Sequence, residues 1–297
     1  MKKIHPAKLR LSFQIIYTIF TNGYLYGFLN GKIYKGNLKY ACVPGLNCYS
    51  CPGALGSCPL GALQNALAQR KIEVPFAVLG FLFVFGSIFG RFVCGWMCPF
   101  GLFQDLLYKI PLFKKRKQLP FHRILKYGKY VMLFGLVIVG SSILFAGFVK
   151  VPAFCKFFCP AGTFMGAIPL MLADVNLRTQ AGGLFGWKMT VLIILTILSV
   201  KIYRPFCQYL CPLGAIYGWF NRFSLVQVCW EKEKCISCMN CKKACPVDLR
   251  PEEISVSPEC IKCGKCEAVC PADCLHFSLD AGVRTQKQSS PDSNPML

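Results

Sequence analysis

The sequence CISCMNCKKACP (residues 235–246) is followed by a similar one, CIKCGKCEAVCP (residues 260–271). Each copy contains three cysteines separated by two residues, a fourth cysteine after three more residues, and then a proline. Three thiolates at this spacing let a short loop wrap one face of an iron–sulfur cube, so the fourth ligand comes from elsewhere. Proline has no backbone N–H and ends the loop. The repeat therefore predicts two neighbouring iron–sulfur sites.

The spacing is that of bacterial two-cluster ferredoxins, in which the fourth cysteine of each copy serves the other cluster. We therefore predict two [4Fe-4S] centres with crossed ligands. The first uses Cys235, Cys238, Cys241 and Cys270, and the second uses Cys260, Cys263, Cys266 and Cys245. A zinc module is the alternative, but zinc sites pair two C-x2-C motifs rather than a triplet with a fourth cysteine. Cys229 and Cys274 fall outside the pattern and are interpreted as packed or free thiols.

Composition predicts that the remaining chain lies in a membrane. Of its 297 residues, 54% are apolar and only 16% are charged, which is too apolar for an ordinary soluble protein. Four apolar runs approach the roughly 20 residues that cross a hydrocarbon core of about 30 Å. They are approximately Leu11–Leu29, Val74–Val93, Tyr130–Val149 and Trp187–Tyr203. A further apolar stretch, residues 163–173, is shorter and is predicted to be interfacial or re-entrant.

The basic residues predict the orientation. Most of the 34 Lys and Arg residues fall on one side of the membrane if the N-terminus is cytoplasmic, as the positive-inside rule requires. We therefore predict a multi-pass protein of the inner (cytoplasmic) membrane with both termini in the cytoplasm. The formal charge of +21 also invites a nucleic-acid interpretation. The largest basic cluster, residues 114–117, lies beside a membrane segment, where topology and anionic lipid explain it, so no nucleic-acid partner is predicted.

A second cysteine motif, C-P-x-G, occurs four times. Its copies begin at Cys58, Cys98, Cys159 and Cys211. In three copies another cysteine lies four residues earlier, at Cys94, Cys155 and Cys207. The first copy has Ala54 at that position, and its companions must come from Cys42, Cys48 or Cys51.

The predicted topology places these copies alternately outside and inside, so the chain forms two parallel halves related by a pseudo-two-fold axis. Cys94, Cys98, Cys207 and Cys211 then form an inner four-thiolate site. An outer site would use Cys58, Cys155, Cys159 and one of Cys42, Cys48 and Cys51. The proline after each cysteine favours a helix start that directs backbone N–H groups at the sulfurs. One or two further iron–sulfur clusters are therefore predicted, with disulfides as the alternative on the oxidising outer side.

The positions of the histidines and of two arginines bear on which cofactors the chain can hold. None of the three histidines, His5, His122 and His276, lies inside a predicted span, which excludes bis-histidine haem across the bilayer. Arg91 and Arg204 precede the inner cysteines by three residues, where they either offset cluster charge or anchor the inner interface. No nucleophile, acid–base pair or phosphate loop accompanies these motifs, so no catalytic residue is predicted.

These residues resemble a known family, the membrane-bound polyferredoxin-type 4Fe-4S binding proteins that include NapH, NosR and CcoG relatives. The resemblance rests on CVPGLNCYSCPGALGSCP (residues 42–59), the C-x3-C-P repeats and the paired ferredoxin motifs. It implies electron transfer between the quinone pool or cytoplasmic donors and membrane or extracytoplasmic redox partners. Some members serve respiratory-enzyme maturation, so a redox assembly, maturation or sensing factor is the alternative, and a zinc-stapled scaffold is a third class.

We therefore predict a mainly α protein of three parts. Residues 1–225 form a four-helix transmembrane domain with pseudo-two-fold cysteine-motif repeats, and residues 226–280 form a cytoplasmic α+β domain like a bacterial 2[4Fe-4S] ferredoxin. Residues 281–297 form a disordered tail. The predicted function is that of an integral membrane iron–sulfur electron-transfer protein, a component of an oxidoreductase complex, with redox proteins and quinone as partners.

Overall fold

A computed structural model describes residues 6–69, 73–144, 151–179 and 181–279 of the chain. The predicted tail, 281–297, lies outside the described residues. The protein is mainly helical, as predicted. The α-helices are Pro6–Thr21, Leu25–Asn30, Pro59–Gln69, Glu73–Phe89, Phe92–Trp96, Pro99–Lys109, His122–Leu125, Gly128–Val131, Ala153–Phe157, Pro160–Gly162, Ile168–Ala173, Val175–Thr179, Gly183–Lys201, Pro205–Tyr209, Pro212–Phe220, Asn240–Ala244, Pro251–Ile254 and Lys265–Ala268. Asn37–Tyr40 is a 3-10 helix, and Met132–Leu144 and Thr163–Ala167 are π-helical.

Two helices are long and apolar enough to cross a membrane, judged by length and composition alone: His122–Ser141 and Gly183–Lys201. Two other apolar helices, Phe76–Phe89 and Pro160–Ala173, are shorter than this. The first predicted span is interrupted, because Thr21 ends its helix and its carbonyl accepts a hydrogen bond from the backbone N–H of Leu55. The described residues therefore contain two candidate spanning helices, and the four-helix transmembrane arrangement stays a prediction.

One buried core surrounds the C-P-x-G cysteines. It contains most of these cysteines together with aromatic and aliphatic side chains from helices that are distant in sequence. Phe100 and Phe206 are fully buried, and their rings meet edge to face with centroids 5.3 Å apart. Phe100 lies two residues after Cys98 and Phe206 directly precedes Cys207, so this aromatic contact brings the two motif copies together.

The C-terminal part combines short helices with two short strands. Strands Gln227–Trp230 and Leu275–Ser278 pair antiparallel, with Trp230 opposite Leu275. A two-stranded sheet is marginal on its own. This one packs on a core of cysteines and aliphatic residues that includes Val228 and Ile254.

Candidate metal centres

The four predicted inner cysteines, Cys94, Cys98, Cys207 and Cys211, converge and are named the Cys94 quartet. All four are buried, and the ionised thiol of each interacts electrostatically with the other three. Cys98 and Cys211 are the N-cap residues of the helices that begin at the following prolines. The backbone N–H of Gly214 donates to Cys211 Sγ at 3.4 Å, because N–H groups in a first helical turn have no intrahelical acceptor.

The structure also brings together Cys48, Cys58, Cys155 and Cys159, named the Cys48 quartet. Every pair of these thiols interacts electrostatically when ionised. A Cβ built on Gly166 would lie 3.4 Å from Cys48 Sγ, so the thiol lies against the helix that contains this glycine. Of the three companions left open by the sequence, Cys48 is therefore the one that joins the site.

Cys42 and Cys51 make other contacts. The thiol of Cys51 donates to Asn22 Oδ1 at 3.5 Å, and Cys42 is hydrogen bonded to the Ser57 side chain. All 20 cysteines lie in the described ranges, and each is a free thiol. The outer cysteines are thus arranged as a thiol cluster rather than as disulfides.

The Cys94 and Cys48 quartets are close neighbours. The backbone N–H of Leu46 donates to Cys98 Sγ, and Cys48 follows two residues later, so the Cα atoms of Leu46 and Cys48 are at most about 8 Å apart. The Tyr217 side chain interacts electrostatically with cysteines of both quartets, and its hydroxyl donates to the Pro44 carbonyl at 2.9 Å. A bilayer core of about 30 Å therefore does not separate the two sites, in contrast to the expectation of one site at each face.

The two arginines that precede the Cys94 quartet cross between the motif copies. Arg91 Nη2 donates to the Cys207 carbonyl at 3.0 Å, and Arg204 Nη1 donates to the Cys94 carbonyl at 2.5 Å. Both side chains are 1% exposed. The arginines therefore hold the two copies in register from inside the protein, which rules out the interpretation as snorkelling interface anchors.

Each arginine also binds a buried carboxylate that sequence reasoning missed. Arg204 Nη2 lies 2.5 Å from Asp105 Oδ2, and Arg10 Nη2 approaches the same oxygen at 3.0 Å. Arg91 Nη1 lies 2.8 Å from Glu259 Oε2, whose second oxygen accepts from Lys129 Nζ. The sequence did offer one signal for Asp105, because acidic residues are scarce in this part of the chain and only three precede residue 226.

The pKa values of the neighbouring side chains Glu259 and Cys260 are shifted in opposite directions. Burial favours the protonated form of Glu259, but the charges of Arg91 and Lys129 outweigh it and lower the pKa of this carboxyl. Burial raises the pKa of the Cys260 thiol to about 12. A thiolate there requires a bound cation to offset the cost of its charge.

The second ferredoxin site has the predicted crossed composition. Cys260, Cys263 and Cys266 lie with Cys245 of the other motif copy, and every pair of these four interacts electrostatically when ionised. They line a common cavity and are buried. This set is named the Cys260 quartet.

The first ferredoxin site surrounds a cavity of about 420 Å³. Its lining contains the predicted cysteines Cys235, Cys238, Cys241 and Cys270, named the Cys235 quartet. Cys274 also lines this cavity, with its Sγ 3.3 Å from Cys270 Sγ. Of the two cysteines outside the motif, Cys274 thus borders the site, whereas Cys229 lies in the first strand opposite His276.

The Cys260 and Cys94 quartets meet across the boundary between the two parts of the chain. A Cβ on Gly95 would lie 2.2 Å from the Ile261 carbonyl oxygen, so the helix Phe92–Trp96 is in backbone contact with the loop that contains Ile261. Trp96 Nε1 donates to the Lys262 carbonyl at 2.9 Å, and Asn221 Nδ2 donates to the Cys260 carbonyl at 3.0 Å.

The donor sets fit iron–sulfur clusters. Within the parts of the chain that the structure describes, no three Cys, His, Asp or Glu side chains are close enough to hold a single metal ion. Zinc requires four ligands at about 2.0–2.3 Å from one ion, whereas a cluster distributes four thiolates over several irons. The four thiols grouped at each quartet match the four-thiolate donor set of an iron–sulfur cluster.

Comparison with known proteins agrees with this chemistry. A family model for a 4Fe-4S binding domain matches residues 72–120, 131–170 and 185–227. An uncharacterized protein of Methanocaldococcus jannaschii is 30% identical over 230 residues, which cover 74% of this chain and 86% of that protein. No solved structure matches the chain.

Two named relatives are ferredoxin-type proteins. The ferredoxin-type protein NapH of Haemophilus influenzae is 27% identical over 80% of this chain and 73% of its own length. The methylamine utilization ferredoxin-type protein MauN of Paracoccus denitrificans is 28% identical over 65% of this chain and 62% of its own. With its cysteine quartets, the chain belongs to the polyferredoxin-type 4Fe-4S proteins of the NapH and NosR group.

Proposed function

We propose that the protein is an integral membrane electron-transfer protein with four [4Fe-4S] clusters, one at each cysteine quartet. It would carry single electrons between a cytoplasmic or quinol donor and a membrane or extracytoplasmic redox partner. The observation that carries the proposal is the arrangement of the four quartets as one connected series. Iron–sulfur clusters, when bound, supply one-electron oxidation and reduction.

The ferredoxin part forms the start of this series. Cys238 is exposed, and exposed apolar side chains of Ile236 and Met239 lie beside it. The helix Asn240–Ala244, which holds Cys241 and ends at Cys245, packs against the helix Lys265–Ala268. The Cys235 quartet is therefore open to a soluble redox protein, and the Cys260 quartet lies behind it.

The series continues through the contacts described above. The backbone contact between Gly95 and Ile261 joins the Cys260 and Cys94 quartets. The segment from Pro44 to Cys48, with Tyr217 against it, joins the Cys94 and Cys48 quartets. Because each site touches the next through one or two residues, the protein needs no long transfer between stations. The 4Fe-4S family match supports clusters at the last two quartets, since its matched residues contain six of their eight cysteines.

The membrane location rests on the apolar helices. Only 28% of the apolar window in each of His122–Ser141 and Gly183–Lys201 is buried inside the protein, which leaves side chains for contact with lipid. Four spans with both termini in the cytoplasm would place the ferredoxin part where cytoplasmic donors reach it. Protease digestion of inside-out and right-side-out vesicles tests this orientation, since the ferredoxin part should be cleaved only in inside-out vesicles.

The cluster assignment is tested by anaerobic purification with iron and acid-labile sulfide analysis and by EPR of the reduced state. Cys98→Ser combined with Cys211→Ser should remove one cluster and leave the ferredoxin signals intact. Cys48→Ser should remove another, whereas Cys51→Ser, three residues away, is the matched control and should retain all iron. Full iron content in the Cys98→Ser/Cys211→Ser protein would contradict the assignment.

A redox maturation or regulatory role is the second candidate. It is favoured by one relative, the regulatory protein NosR of Stutzerimonas stutzeri, of which this chain covers only 24%. Membranes that contain the protein should show rapid reduction of its clusters by quinol if it is an electron conduit. Depletion of the protein after its client enzyme is assembled should then stop turnover. Unchanged turnover after depletion would favour the maturation role instead.

A further inference from the structure

Two buried glutamines occupy equivalent positions in the Cys48 and Cys94 quartets. Gln64 lies six residues after Cys58, and Gln104 lies six residues after Cys98. Both side chains are essentially inaccessible, at 0% and 1% exposed. The other two C-P-x-G copies have Met165 and Tyr217 at the corresponding positions. Each quartet thus receives one glutamine.

Each glutamine makes the same three contacts. Gln64 Nε2 donates to Cys155 Sγ at 3.3 Å, and Gln104 Nε2 donates to Cys207 Sγ at 3.1 Å. Each Nε2 also approaches the carbonyl four residues earlier in its own helix, at 3.4 Å. The Oε1 atoms accept from the backbone N–H groups of Phe154 at 2.9 Å and Phe206 at 3.3 Å.

These contacts determine which end of the amide faces the sulfur. The backbone N–H of the residue before each cysteine is a donor, so it must face the carbonyl oxygen of the glutamine. The NH₂ group is therefore directed at the thiol sulfur of the next residue. The same arrangement occurs at two sites built from different segments of the chain, which is hard to explain by packing alone.

We propose that Gln64 and Gln104 are positioning residues that orient Cys155 and Cys207 and donate an N–H···S hydrogen bond to each ligand sulfur, thereby raising the reduction potential of the cluster at that quartet. Hydrogen bonds to ligand sulfurs are one of the factors that set cluster potential. A donor stabilises the reduced state more than the oxidised state because the reduced cluster carries one more negative charge. The proposal rests on clusters being bound at these quartets.

The experiment compares Gln104→Met and Gln64→Met in the full-length protein, purified anaerobically with its clusters. Methionine keeps the length of the side chain and a weak acceptor for the phenylalanine N–H, but it has no donor. Mediated titration with dithionite, followed by EPR, measures the midpoint potential of each cluster. We expect the equilibrium constant for reduction to fall about tenfold at the mutated site, equivalent to about 59 mV for one electron.

Each variant serves as the control for the other. Gln104→Met should shift only the Cys94-quartet signal, and Gln64→Met only the Cys48-quartet signal. Unchanged potentials with full iron content, or equal shifts of all clusters in either variant, would overturn the proposal. An unmodified protein without iron at these quartets would instead refute the proposed function.

A measurement on the unmodified protein covers the case in which a variant fails to assemble. With glutamine labelled with ¹⁵N in the side-chain amide, pulsed EPR of the reduced protein should show ¹⁵N coupling to the cluster at both quartets. The proposal would be overturned if ¹⁵N coupling were missing at one quartet or at both.

Discussion

Glu259 should hold the ferredoxin part against the rest of the chain. Its carboxylate forms ion pairs with two buried cations, Arg91 and Lys129, whose side chains are 1% and 0% exposed. Glu259→Gln keeps the side-chain volume but removes the negative charge. Leaving a buried charge without its partner costs about 3–5 kcal/mol. At 1.4 kcal/mol per factor of ten, the undocked form should become about a hundredfold or more abundant.

Limited trypsin digestion measures this change. Lys262 is 3% exposed, and its Nζ donates to the Phe89 carbonyl across the boundary, so cleavage after Lys262 should follow the population of the undocked form. The initial cleavage rate of Glu259→Gln should therefore rise by a similar factor. Lys234→Gln disrupts an exposed pair with Glu231 and should leave the rate unchanged, as exposed pairs contribute little.

A double variant tests how much each of the two cations contributes. Adding Lys129→Met to Glu259→Gln leaves only Arg91 without a counter-charge, so part of the lost docking should return. The single variant Lys129→Met completes a double-mutant cycle, which measures the coupling between the two side chains because contacts in one network are not additive. A cleavage rate in Glu259→Gln equal to that of the unmodified protein would refute the view that this carboxylate secures the interface.

Three further changes test the same architecture. Gly95→Ala places a Cβ 2.2 Å from the Ile261 carbonyl and should increase the rate of trypsin cleavage. Gly183→Ala is the control, because its Cβ would have nothing within 4 Å, and it should leave the rate unchanged. Equal cleavage rates in the two variants would contradict the backbone contact. Asp105→Asn leaves two buried arginines unneutralised and should cost about 3–5 kcal/mol, seen as a lower thermal midpoint in detergent; an unchanged midpoint would count against the network. Tyr217→Phe removes one buried hydrogen bond, worth about 0.5–1.5 kcal/mol, and should lower the midpoint slightly with iron content retained; iron loss would show that the hydroxyl does more than support the loop.

Local spacing predicts how the cysteines of the ferredoxin part are grouped. The crossed grouping of Cys245 with Cys260, Cys263 and Cys266 follows from the repeat, because short loops restrict which thiols can meet. The structure arranges these thiols as the spacing predicts. The same holds for the Cys94 quartet, where two copies of one motif supply two cysteines each.

For the Cys48 quartet, the sequence alone does not identify which cysteine completes the site. Cys42, Cys48 and Cys51 lie within ten residues of one another and carry equal local signals. Cys48 is selected only in the folded chain, where its thiol lies with those of Cys155 and Cys159, more than a hundred residues away. Hydropathy likewise predicted alternating sites at opposite faces, but it contains no information on how far an irregular segment such as residues 44–48 reaches into the core.

The sequence by itself determined the chemistry of this protein: the number of thiols, their grouping in repeated motifs and the apolar runs, because these depend on neighbours along the chain. Tertiary structure decided which companion cysteine completes the last site, how near the sites lie, and which polar groups surround them. Asp105, Glu259, Gln64 and Gln104 become recognisable only when burial leaves each facing a partner some 90 to 168 residues away. The cost of burying an unpaired polar group or charge specifies those pairings, and it acts only in the folded chain.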